Sequence, residues 1–177
     1  MSSLESILGD APFDLAARLT KAPLLRTVSL PEGARELRIA DWYQMVAGSP
    51  LPYLTLVEDG QEIAGALAVL EGCGADRGPQ GVEWCARVVT TAPGLNWNAV
   101  ARTLDSLGVW NLSDPCETDG VHRTDSGALM LQRLEGSAFS TYTCNTPSVR
   151  SGPEGEGSKA IYTFFHELIR RHAKRPA

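Results

Sequence analysis

From Glu36 to about Thr91, apolar and polar residues alternate with a period of two: Glu36-Leu37-Arg38-Ile39, Tyr53-Leu54-Thr55-Leu56-Val57, Ile63 through Leu70, and Trp84 through Thr91. A helix repeats its faces every 3.6 residues, so this spacing predicts four strands. Between the second and third runs Glu58-Asp59-Gly60-Gln61, whose Asp and Gly both tolerate positive φ, predicts a tight antiparallel hairpin. The stretch from Glu71 to Gly81 is glycine-rich and contains Pro79, so it reads as a loop.

After Pro93-Gly94 the spacing becomes helical. Trp97, Val100, Ala101, Leu104 and Leu107 form one apolar stripe, with Asn96 as the N-cap and Gly108 as the stop. Ala128 to Leu134 and Ala138 to Cys144 then predict a second hairpin, joined by the three-residue loop Glu135-Gly136-Ser137. Thr146 to Ser158, rich in Pro, Gly and Ser, reads as a linker or surface loop. Ile161, Phe164, Phe165, Leu168 and Ile169 follow the i, i+3, i+4, i+7, i+8 pattern of a helix with one buried face. Near the start, Phe13, Leu15, Ala16 and Leu19, with Asp10 or Asp14 as cap, predict a short docking helix before Pro23.

These elements describe a single α+β domain over residues 31–177 behind an N-terminal docking segment, residues 1–30. The expected core is an antiparallel sheet of about five to seven strands, with one internal helix and a C-terminal amphipathic helix packed on it.

The 177 residues suit one domain, and 43% hydrophobic with 21% charged residues excludes wholesale disorder and collagen-like sequence. The longest apolar run, Ile63 to Leu70, is too short to cross a bilayer as a helix. Met1 to Ser6 lacks the basic and apolar regions of a signal peptide, so membrane anchoring is expected only through a trimmed N-terminal segment. The net charge of −5 divides into +4 over residues 157–177 and −9 over residues 1–156. An acidic body repels nucleic acid, and no nucleic-acid partner is expected.

Cys73, Cys85, Cys116 and Cys144 are too far apart to form a Cys-x-x-Cys metal or redox pair. Each lies at a strand end or in a loop, so they are expected as disulfides. Three connectivities are open, and Cys73–Cys85 with Cys116–Cys144 needs the least rearrangement. In a cytosolic protein the same four would be small buried hydrophobes.

Ala68-Val69-Leu70-Glu71-Gly72-Cys73-Gly74 resembles the opening of a nucleotide-binding loop, but Pro79 and Gly81 exclude the helix such a loop requires. No cofactor is expected. Asp119, His122 and Asp125 gather carboxylates and an imidazole within seven residues, a set able to hold a divalent ion, although Asp119-Gly120 also reads as a simple turn. His166 falls beside the apolar stripe of the last helix and reads as a partly buried edge residue. Arg170, Arg171 and Lys174 complement a helix C-terminus and are also candidates for contacting a partner. There is no Gly-x-Ser-x-Gly nucleophile elbow.

Trp97, Leu104, Gly108-Val109-Trp110-Asn111-Leu112, Asp119-Gly120, Leu129 to Arg133, Gly136, Tyr142 and Asn145-Thr146-Pro147 occur in an order that resembles a loosely defined group of bacterial proteins of unknown function. Members of that group are often exported or lipid-anchored. The resemblance spans about residues 83–172, and departs from the pattern at Ser113, where the group usually has proline. It implies an extracytoplasmic compartment and no particular activity. The expectation is a non-enzymatic exported or envelope-associated protein that binds another protein or stabilises an assembly. The alternatives are a metal-assisted hydrolase using Asp119, His122 and Asp125, and a cytosolic inhibitor or immunity-type protein with an acidic binding surface.

Overall fold

A computed structural model describes residues 13–43, 51–60, 62–72, 84–88, 95–113, 127–145, 147 and 152–172. Backbone alone is described at 42–43, 71–72, 84–88 and 153–154. Among the described residues six strands form one sheet: β1 (Arg35–Tyr43), β2 (Leu51–Asp59), β3 (Glu62–Gly72), β4 (Trp84–Val88), β5 (Gly127–Glu135) and β6 (Ala138–Asn145). Three helices accompany it: α1 (residues 13–20), α2 (Trp97–Ser106) and α3 (Gly152–His172). The architecture is α+β, as the alternation and stripes predict.

The strand order is β4-β3-β2-β1-β5-β6 and every described pairing is antiparallel. β1 to β4 run as a meander, and the chain then returns through α2 to lay β5 against the free side of β1. The first strand is thereby a central one, buried on both faces from Glu36 to Asp41. A strand covered on both sides must satisfy any polar side chain it carries without water.

The odd-numbered β1 residues Leu37 and Ile39 join Leu54, Leu56, Leu67, Leu129 and Leu131 in a core covered by α2 and α3. Val100, Ala101 and Leu104 of α2 meet Ile161, Phe165 and Leu168 of α3 there. On the opposite face, Ala40, Tyr53, Ala68, Leu70 and Met130 pack beneath Phe13 and Ala16 of α1. The docking helix before Pro23 therefore forms a third layer.

Local chemistry sets the element ends. Asn96 Oδ1 accepts from the Ala99 N–H at 3.1 Å, capping α2, and Gly108 takes φ +74° just after it. Gly60 turns the β2–β3 hairpin at φ +63°. The β5–β6 connection is two residues, Gly136 and Ser137, rather than the three expected, because Glu135 and Ala138 already pair.

Residues 152–158, expected as linker or surface loop, are the first turns of α3. Packing overrides composition there. Ser158 is fully buried, with its hydroxyl 2.6 Å from Tyr142 Oη. Among the described residues no helix is long and apolar enough to cross a membrane.

Cys144, opposite Leu129 in β6, is fully buried and disulfide-bonded. Cys73 and Cys116 lie outside the described residues. Cys85 is described only as a backbone position of β4.

Candidate functional site

Three polar arrangements and one groove stand out from the apolar packing. The first follows from the β1 alternation: Leu37, Ile39 and Asp41 share a face, so Asp41 places a carboxylate at a core position beneath α3. Asp41 Oδ2 lies 2.8 Å from His166 Nε2 and 3.3 Å from the Tyr162 hydroxyl. Tyr162 and His166 are four residues apart, hence neighbours on the helix face, and their rings meet at a 47° tilt with centroids 4.2 Å apart. An ionised carboxylate only accepts, so opposite one the imidazole Nε2 is the donor.

Asp41 is 6% exposed and His166 39% exposed, so the pair runs from the core to the surface. Among the described residues, Asp41 Oδ1 is buried without a hydrogen-bond partner. Gly127 makes this approach possible, since a Cβ there would fall 2.5 Å from Asp41 Oδ1 and 2.8 Å from Tyr162 Oη. A carboxylate-oriented imidazole can act as a general base. It also ties α3 to the central strand. Sequence reading placed His166 at the edge of the buried face but missed its partner. The available signal was a carboxylate continuing the core-facing series of β1.

The second arrangement lies on the opposite face. Arg38, 2% exposed, donates to Glu36 Oε1 at 2.7 Å and to the Pro23 carbonyl at 2.8 Å. Nearby, burial pushes the Tyr53 phenol from its ordinary 10 up to about 12, with Arg38 partly offsetting the rise and Glu36 adding to it. Between pH 10 and 12 the unfolded chain loses the Tyr53 proton while the folded chain keeps it, so stability falls as pH rises through that window. Replacing Tyr53 with phenylalanine is expected to remove roughly 1–3 kcal/mol of that alkaline loss. Urea unfolding of both proteins at pH 9 and pH 11 checks this; an identical loss in both would refute it.

The third arrangement joins sheet to helix. Arg133, 7% exposed, donates to the carbonyls of Val109, Trp110 and Leu112 at 3.2, 3.1 and 2.8 Å, just beyond the C-terminus of α2. Burial holds its guanidinium below the ordinary range. Arg35 bridges Glu58 and Asp105, each at 2.8 Å, and covers the Trp110 ring at 4.7 Å. Although burial lowers the Arg35 value, hydrogen bonds to Glu58 and Asp105 more than offset it, so the net shift is upward.

The groove runs between α2 and α3 on the outer surface. Its volume is about 470 Å³, and Thr103 and Leu107 line one side while Lys159, Ala160, Thr163 and Phe164 line the other. The Thr103 and Thr163 hydroxyls bond back to the Ala99 and Lys159 carbonyls of their own helices. Their hydroxyl donors are therefore taken up within each helix. Glu156 and Glu167 complete the rim.

Of the residues proposed from sequence, Asp119, His122 and Asp125 lie outside the described residues, as does Lys174. Among the described residues no group of three or more His, Cys, Asp or Glu is placed to hold a metal ion. Arg170 and Arg171 are exposed in the last turn of α3, and Arg171 reaches Glu167 at 2.9 Å. Leu107 and Phe164, foreseen as members of apolar stripes, are only partly buried and face the groove. No protein-family model, curated protein or solved structure matches the chain.

Proposed function

We propose that this chain is a non-enzymatic domain of the extracytoplasmic space that binds protein through its α2/α3 face. The observation that carries the binding reading is the groove itself: an outward, largely apolar trough bounded by charges of both signs, on helices firmly tied to the sheet. The buried charges serve the scaffold. Arg38 holds the segment after α1, Arg133 holds the chain after α2, and Asp41 holds α3.

The compartment is supported by Cys144, disulfide-bonded in the core, and by the resemblance over residues 83–172 to exported proteins. Protein recovered from an oxidising compartment and denatured without reductant should show no reactive thiol. Four reactive thiols would overturn that location.

For the binding reading, a photo-crosslinking amino acid is placed at Leu107 in the groove, or at exposed Glu32 on the turn before β1 as a control. Irradiation of cells making the protein is expected to give a discrete adduct from position 107 alone. Absence of an adduct at 107, or equal labelling from 32, would overturn the reading.

A further inference from the structure

We infer that the partner received by the α2/α3 groove is a second copy of this chain, seated with α3 antiparallel to α3 about a two-fold axis through Thr163. The inference rests on the binding reading above and names its partner.

The observation is a self-complementary charge pattern on the outer face of α3. Lys159 and Glu167 each lie four residues from Thr163, and Glu156 and Arg170 each lie seven. Offsets of four and seven return to nearly the same helix face, so these five residues form one stripe. Glu156, Lys159, Thr163 and Arg170 are exposed, and the Glu167 side chain is 46% exposed.

In an antiparallel pair centred on Thr163, Lys159 faces Glu167 of the second copy and Glu156 faces its Arg170, each contact occurring twice. A parallel pair would set Lys159 against Lys159 and Glu167 against Glu167, so the same pattern disfavours the other orientation. Such an isologous contact closes on itself and ends at two copies.

The centre of the stripe suits close approach. Ala160 and Thr163 are small, and the Thr163 hydroxyl is already bonded to the Lys159 carbonyl. Helix axes can then come to the usual 8–10 Å. Leu107 and Phe164, partly buried in each copy, supply the apolar surface that association would cover. The Glu167–Arg171 bond within α3 joins side chains 46% and 63% exposed, so it is weak enough for Glu167 to engage Lys159 of the second copy as well.

The test is sedimentation equilibrium of the purified full chain, in a series reaching about 100 μM, where even a micromolar interface is populated. The wild type is expected to approach twice the mass of the chain. Lys159→Glu and Glu167→Lys, each confirmed as folded by circular dichroism, are expected to remain monomeric. Mixing those two variants restores both ion pairs, so the mixture should dimerise, as should the single chain carrying both changes.

A monomeric wild type overturns the inference, and so does a mixture that stays monomeric. If the wild type is monomeric while Leu107 still crosslinks to a different protein, self-association fails and the binding reading stands. If the wild type is monomeric and Leu107 gives no adduct, both fail.

Discussion

Arg133→Leu is expected to lower stability by about 3–5 kcal/mol, because a buried cation is removed from three carbonyls that have folded around it. Val109, Trp110 and Leu112 direct these carbonyls toward β5 in the turn after α2, where helix geometry offers no further donors. Leucine fills part of the space and donates nothing. For a domain whose whole stability is on the order of 5–15 kcal/mol, the melting temperature should fall by roughly 10 °C. Arg133→Lys keeps the charge but lacks the planar fork, so it should fall between leucine and wild type. Thermal and urea unfolding of the three proteins checks the order. A leucine variant within about 1 kcal/mol of wild type would show that the carbonyls find other donors.

Gly65→Ala carries the second large expectation, about 2–3 kcal/mol of destabilisation from a single added methyl group. Gly65 lies in the interior of β3 opposite Leu56, and the Trp97 ring at the start of α2 covers it. A Cβ at this position would fall within 2.6 Å of three atoms of that ring, so the indole must move and carry the start of α2 with it. Strand interiors otherwise favour alanine over glycine by about 0.5–1 kcal/mol. The sign of the effect is therefore set by Trp97. In a Trp97→Ala background the same Gly65→Ala change should become neutral or stabilising, and a double-mutant cycle measures this reversal. Additive losses would show that the ring is not the obstacle.

Much of the scaffold was legible because it rests on short-range rules. Alternation marked the strands, Asp59-Gly60 and Gly136 marked the hairpins, and Asn96 and Gly108 marked the ends of α2. The apolar stripe of α3 was visible, yet its first turns were not. Gly155 and Gly157 argue locally against a helix, and burial of Ser158 against Tyr142 favours one.

The candidate site was less legible. His166 could be placed at an edge, but Asp41 lies 125 residues away, and nothing local to either residue names the other. The groove was hidden for a related reason: the stripes identify Leu107 and Phe164 as apolar without telling how far α2 and α3 stand apart.

The first turns of α3 and the exact length of the β5–β6 turn apart, the sequence by itself determined the described strands and helices and which side chains are apolar, since periodicity and φ preference act within a few residues. Tertiary structure alone decided that β1 lies at the centre. A meander could have ended at β4 with β5 added beside it, but β5 docks on β1 instead and buries Arg38 and Asp41 from both sides. That choice depends on which distant faces exclude water together. It turned ordinary-looking charges in a strand into the ties that hold α3 and the segment after α1.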